Sequence, residues 1–147
     1  IDRLRQEGKR TAVLFAGDVG FSYVTPAGHN GYITKWIEAI DRVTKMDVDV
    51  IVPGHGPIGT KKEIADTRTY LELLAEEARK RYALGMSPGR AAADIPLGRF
   101  ETWTNPERNA WNTVRLYAEF AGTLKPEQDL AAQNAAVAEY LAARGAR

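Results

Sequence analysis

Asp18 and His55 have the residue types and the surroundings for metal chemistry. Asp18 follows Gly17 at the end of the apolar run at residues 11–16 (TAVLFA), and His55 stands within Pro-Gly-His-Gly-Pro at residues 53–57. Because glycine allows unusual backbone angles and proline stiffens the chain, this turn is suited to aim the imidazole at one point. A carboxylate and a neutral imidazole suit zinc, and also iron or manganese. The alternative is that Asp18 caps a turn and that His55 only packs.

The other histidine, His29, lies in a Gly-His-Asn-Gly loop at residues 28–31. A catalytic zinc site normally has three protein ligands, so Asp18 and His55 alone are too few. His29 is therefore either the third ligand of a small mononuclear site or a loop or pocket residue beside the other two.

A strand–helix–strand unit is predicted to position these residues. The apolar runs at 11–16 and 48–52 indicate buried strands, residues 19–31 a long loop, and the apolar period over 32–46 an amphipathic helix. Strands joined through a helix are most simply parallel, with their carboxyl ends at one edge of the sheet. Ligands bind outside those ends, so we expect Asp18 and His55 to lie about 4–6 Å apart. Residues 53–57 are expected not to continue the strand.

Several helices are predicted after the second strand. A capping box formed by Thr60 and Glu63 marks the start of a long helix, which Gly85 ends. Further helices are predicted to start at Ser87-Pro88, Asn105-Pro106 and Pro126, and to reach Ile95, Gly122 and about Arg144. The helix that ends at Gly122 is expected to carry Trp111, Val114 and Ala118 on one face. The last helix carries Leu130, Val137 and Leu141 on one face, which is expected either to contact another copy of the chain or to cap the core.

Residues 13–18 (VLFAGD), the helix through Trp36–Arg42 and residues 48–57 (VDVIVPGHGP) together resemble the C-terminal half of the metallo-β-lactamase fold hydrolases, most closely the glyoxalase II-like branch. The resemblance covers about residues 11–121. It implies an α/β fold, half of a four-layer αββα sandwich, with a one- or two-metal site at a sheet edge. Asp18 matches the aspartate that bridges or approaches both metals, and His55 matches the last histidine ligand. Water activated by the metal would attack a thioester, lactam or related bond of a small-molecule substrate.

The departures from that family are as informative as the matches. The His-x-His-x-Asp-His signature and a further histidine ligand are absent from this sequence. Residues 1–123 therefore look like half of the domain, followed by an Ala-rich C-terminal helix within residues 124–147. The chain begins at Ile1 rather than Met, so we expect the natural N-terminus to be missing. The isolated chain should then hold an incomplete metal site and be inactive.

Composition narrows the classes of partner. The chain has 147 residues, 44% of them hydrophobic, which suits one globular domain. With 20 Lys and Arg against 19 Asp and Glu, the net charge is too small to attract nucleic acid or an anionic membrane. No apolar run approaches the about 20 residues of a membrane span. The lack of cysteine excludes disulfides and Cys-type zinc sites. These features favour a soluble, cytoplasmic protein without nucleic-acid or membrane partners.

The competing hypothesis is a non-catalytic α/β module for oligomerisation or binding. The strands at 11–16 and 48–52 are too apolar to be wetted on both sides, and the helices can cover only one face of so small a sheet. Monomers rarely leave more than a few hundred Å² of contiguous apolar surface uncovered. We therefore predict a homo-oligomer, most simply a two-fold dimer, with the sheet or the C-terminal helices at the contact.

Overall fold

The computed structural model describes residues 7–8 and 11–145. The elements in chain order are β1 (Val13–Phe21), α1 (Ile33–Thr44), β2 (Val50–His55), α2 (Lys61–Ala83), α3 (Pro88–Asp94), a 3-10 helix (Gly98–Thr102), α4 (Arg108–Ala121) and α5 (Leu130–Gly145). This described part has five α-helices and one two-stranded sheet, which confirms the α/β class. None of the helices in these ranges is long and apolar enough to cross a membrane.

The two strands are parallel, as predicted, but β1 is longer than the run at 11–16. Val13 pairs with Val50, and the register then shifts on either side of Gly17, whose φ is +51°. Such an irregularity bends a strand without ending it. Pairing therefore resumes and reaches Phe21, so that residues 19–21, which we assigned to the loop, belong to β1.

The expectation that residues 53–57 cannot continue the second strand is wrong for the first three of them. Pro53 pairs with Gly17, and His55 pairs with Phe21. Proline lacks an amide donor, which a strand tolerates where that side of it is not paired. Over the described ranges, the other side of β2 carries one isolated bridge, between Ile51 and Gly59. His55 is therefore held by the sheet rather than by a free turn.

The main hydrophobic core lies on one side of the sheet, under the helices. α1 buries Ile33, Ile40 and Val43, in agreement with the helical period of its sequence. Leu14 and Ile51 extend this core from the sheet. Other members of the core come from α2, α4 and the segment between α3 and α4, and include Ile64, Tyr70, Leu71, Leu74, Ile95, Leu97, Phe100, Trp103 and Leu116.

The opposite side of the sheet is apolar and open. Side chains alternate along a strand, so Val13 and Phe15 share this side with their partners Val50 and Val52. Phe15 is 78% exposed, and the three valines are only half-buried. These four residues form the outer sheet face.

α2 begins with the capping box that its sequence predicts. The Thr60 hydroxyl accepts a hydrogen bond from the Lys62 amide at 3.2 Å, and the Glu63 carboxylate accepts one from the Thr60 amide at 2.8 Å. The backbone hydrogen bond from Thr60 lowers the pKa of Glu63. The ionised carboxylate therefore stabilises the folded state.

Glu63→Gln is expected to reduce the loss of stability in acid. A carboxyl whose pKa is lowered by folding contributes fully above its unfolded pKa, near 4.5, and this contribution is lost as pH falls through the folded pKa. Glutamine keeps the capping bond but does not titrate. Urea denaturation at neutral pH and at about pH 3 should show a smaller fall in the free energy of unfolding for the variant than for the parent chain. An equal fall would contradict this role of Glu63.

The face of α5 that carries Leu130, Val137 and Leu141 is not the one that caps the core, and its role at a contact between copies of the chain stays a prediction. α5 buries Ala136 and Tyr140, whereas Leu130 and Leu141 are 60% and 56% exposed. The reason is the close approach of α3, where a Cβ on Gly89 would lie 2.3 Å from the Ala136 carbonyl oxygen. A leucine in place of Ala136 would hold the two helices apart, so this close contact needs a small residue.

α4 fully buries a different side from its predicted apolar face. Trp111, Val114 and Ala118 are only half-buried. The buried side is largely polar and consists of Asn109, Ala110, Asn112, Thr113, Arg115 and Leu116. Buried polar groups need hydrogen-bond partners, and the partners of this helix include the loop between β1 and α1.

The domain boundary at residue 123 stays a prediction, and hydrogen bonds cross it. The Arg115 guanidinium donates to the carbonyl oxygens of Lys125 at 3.0 Å and Glu127 at 3.2 Å. Residues of α3, α4 and α5 also share a second, smaller core of Ala92, Ala93, Ala110, Ala136 and Tyr140. α5 thus packs on the helices before it.

Candidate functional site

Asp18 and His55 meet on the two neighbouring strands. His55 Nε2 lies 3.5 Å from Asp18 Oδ1, closer than the about 4–6 Å that we expected. The Asp18 side chain is 78% exposed and that of His55 is 43% exposed. An ion or a small ligand can therefore reach both groups from solvent.

Glycine at position 54 is what lets Asp18 sit so close to β2. A Cβ on Gly54 would lie 2.1 Å from Asp18 Oδ1 and 2.8 Å from the Gly17 carbonyl carbon, distances that no side chain can occupy. The bend at Gly17 turns the following residue toward this gap. The close approach of the two strands, rather than a long side chain, thus brings the carboxylate to the imidazole.

Gly56 has the corresponding role on the other side of His55. Its φ of +88° lies in the region that favours glycine, and a Cβ there would lie 1.9 Å from the Ser22 carbonyl oxygen. The Ser22 amide donates to the His55 carbonyl at 3.0 Å. The chain on both sides of His55 is therefore fixed against β1, which supports the interpretation that this turn aims the imidazole.

Phe21 holds the His55 ring and Trp36 supports Phe21, and sequence reasoning did not find these roles. Phe21 stacks on the imidazole, with ring centroids 4.8 Å apart and planes at 16°, and is itself 1% exposed. Trp36 packs edge-on against Phe21 at 5.6 Å and donates from its Nε1 to the Val19 carbonyl at 3.0 Å. We had assigned Phe21 to a loop and Trp36 only to the apolar side of a helix.

The Asp18–His55 pair has the spacing of two ligands on one metal ion. In a tetrahedral site with bonds of about 2.1 Å, two ligand atoms lie about 3.4 Å apart. The observed separation is 3.5 Å, and the donor atoms are of the types that zinc prefers. Across residues 7–8 and 11–145, no three His, Asp or Glu side chains form a group that could hold a metal. The three-ligand site that would include His29 is therefore not formed by this part of the chain.

His29 instead borders a cleft that it shares with Asp18. Its ring packs edge-on against Trp111 at 5.7 Å, and among the described residues its buried Nδ1 has no hydrogen-bond partner. The cleft has a volume of about 410 Å³, within the range of small-molecule sites. Its lining consists of Asp18, Val19, Ala27, Gly28, His29, Asn30, Gly31, Tyr32, Lys35 and Trp36. A larger cavity of about 810 Å³, between residues 84–90 and 139–143, includes neither Asp18 nor His55.

Comparison with known proteins gives no match for this chain. No protein-family model matches it, and no curated protein or solved structure does. The resemblance to the metallo-β-lactamase fold hydrolases therefore depends on the sequence motifs and on what the Asp18–His55 pair could do.

Proposed function

We propose that Asp18 and His55 are two ligands of a divalent metal centre, with zinc preferred over iron or manganese, in a hydrolase related to the metallo-β-lactamase fold enzymes. The observation that carries the proposal is the 3.5 Å separation of a carboxylate oxygen and an imidazole nitrogen on adjacent parallel strands. Two ligands do not complete such a site. The remaining ligands would come from a polypeptide segment other than the described residues.

In that site, the residues of this chain would hold the metal ion and orient its ligands. When bound, a divalent cation supplies the Lewis acidity that activates water for attack on a thioester, lactam or related bond. Asp18 offers an open carboxylate, and Phe21 restricts the plane of the His55 imidazole. The adjoining cleft has room for a small substrate. With this incomplete ligand set, the isolated chain is expected to show no turnover.

The exposed outer sheet face favours the proposal that this chain is one half of an αββα sandwich. Parallel sheets are normally covered on both faces, yet Phe15 is 78% exposed on the side away from the helices. A second sheet packed there would complete an αββα sandwich. It would also bring further side chains to the edge that carries Asp18 and His55.

Zinc titration of the chain, followed by NMR, tests the metal assignment. We expect weak binding with shifts centred on Asp18 and His55. His55→Gln removes one of the two ligands, so zinc affinity should fall by at least about 10-fold, the lower end of the loss caused by removing an outer-shell partner. The matched control is His29→Gln, which changes the other histidine and should keep the response. Equal losses in both variants, or shifts remote from both ligands, would contradict the proposal.

The second candidate function is non-catalytic association through the outer sheet face, and the exposure of Phe15 is the observation that favours it. Both candidates predict a homo-oligomer when no second sheet is present. They differ in the zinc response at His55, which the association module does not require. A stable dimer whose NMR spectrum does not change on addition of zinc would favour the association module over the metal-dependent hydrolase.

A further inference from the structure

The loop between β1 and α1 is held from outside by the helices at the other end of the chain. Five hydrogen bonds join side chains of α4 and α5 to the backbone of residues 25–31, which forms much of the cleft wall. They run from Arg108 to the Thr25 carbonyl (3.1 Å), from Asn112 to the Pro26 carbonyl (2.9 Å), from the Gly28 amide to Asn112 Oδ1 (2.8 Å), from Gln133 to the His29 carbonyl (2.6 Å) and from Arg115 to the Gly31 carbonyl (3.0 Å).

Three of these side chains are almost fully buried. Asn112, Arg115 and Gln133 are 0%, 3% and 1% exposed. Burying a polar group is costly unless it is hydrogen-bonded, and the loop supplies each of these side chains with at least one of its partners. The loop and the two helices therefore stabilise one another.

Gln133 is the residue of α5 that reaches the loop at His29. Its Oε1 accepts a hydrogen bond from Gln128 Nε2 at 2.7 Å, so its own amide nitrogen is turned toward the His29 carbonyl, 2.6 Å away. His29 is also one of the residues that line the cleft, as is Asp18. One buried amide thus connects the C-terminal helix to the cleft wall.

We propose that Gln133 is a positioning residue, which acts through the His29 carbonyl to hold the 25–31 loop as a preformed wall of the cleft. The inference rests on the proposed function for what the cleft receives. A wall that is already ordered avoids paying its ordering entropy when a ligand binds. α5, which the family resemblance does not cover, would then belong to the site.

Hydrogen exchange of the metal-free chain measures this role directly. The amides to follow are those of Gly28, bonded to Asn112, and Gly31, bonded to the Gly28 carbonyl at 3.1 Å. Gln133→Met keeps the length and removes the bond, so exchange of these amides should accelerate on the order of 3- to 10-fold. Amides in the middle of α2 should not change. Asn134→Met, at an exposed neighbouring position, is the control and should leave both regions unchanged.

Gln133→Glu separates positioning from a general loss of packing. An ionised carboxylate cannot donate to the His29 carbonyl, but the protonated acid can donate its O–H there while its other oxygen accepts from Gln128. Loop protection relative to α2 should therefore return in this variant as pH is lowered and the new carboxyl is protonated. Gln133→Met, measured at the same pH values, should not recover.

Three outcomes would overturn the proposal: no acceleration in the loop, equal acceleration in the loop and α2, or no recovery of Gln133→Glu in acid. None of these measurements uses a metal. A missing zinc response at His55 would therefore count against the proposed function and leave this result intact.

Discussion

Gly56→Ala is expected to lower the free energy of unfolding by about 2–5 kcal/mol. Two costs add in this variant. The first is backbone strain, because a residue with a Cβ at a φ of +88° costs about 1–2 kcal/mol. The second is a contact of 1.9 Å between that Cβ and the Ser22 carbonyl oxygen, a backbone atom that cannot rotate away, and such overpacking costs about 1–3 kcal/mol. Urea denaturation monitored by circular dichroism measures the sum.

Gly85→Ala is the matched control because it has one of these costs without the other. Gly85 has a φ of +70°, and a Cβ there meets nothing within 4 Å. The free energy of unfolding of Gly85→Ala should therefore fall only by the cost of the backbone strain, about 1–2 kcal/mol. If the two variants lost the same stability, the close approach of residue 56 to β1 would have no energetic weight, and the account of how His55 is held would be wrong.

Phe15→Lys is expected to convert a dimer of this chain into a monomer. Burying a phenylalanine side chain stabilises by about 1.5–3 kcal/mol, and a two-fold contact contains two copies of it. Losing about 3–6 kcal/mol weakens association by more than about 100-fold. A lysine on this face would also have to be desolvated if the contact were kept. Sedimentation equilibrium of the parent chain and the variant measures the change.

Leu84→Lys is the control for surface hydrophobicity in general. Leu84 is 78% exposed, the same fraction as Phe15, but it follows the end of α2 and is not part of the outer sheet face. Its replacement should leave the dimer intact. A parent chain that sediments as a cooperatively folded 16.2 kDa monomer would contradict the role of the sheet face in association.

The features that sequence reasoning predicted correctly depend on neighbours along the chain. The capping box of Thr60 and Glu63 and the end of α4 at Gly122, whose φ is +68°, need only residues within one helical turn. The helical period of α1 is equally local. The proximity of Asp18 and His55 could also be predicted from the order of the elements, because two strands that are connected through a helix are parallel neighbours.

The lengths of the strands were decided by tertiary structure. From the sequence, Gly17 and Pro53 are predicted to end their strands, because glycine and proline each disfavour regular strand pairing. In the fold they are register partners, and the ladder resumes beyond them to Phe21 and His55. Pairing between strands outweighed the local preference, and it brought Phe21 onto the His55 ring.

The buried faces of α4 and α5 and the order of the cleft wall also required the tertiary structure. A hydrophobic period ranks Asn112, Arg115 and Gln133 as surface residues, because it counts apolar side chains and not hydrogen-bond partners. Their partners lie in the 25–31 loop, 84 to 104 positions away in the chain. A polar side chain can be buried when such a partner is supplied, and no local pattern records a partner at that distance. The sequence therefore determined which residues could do chemistry, whereas only the fold decided what holds them in place.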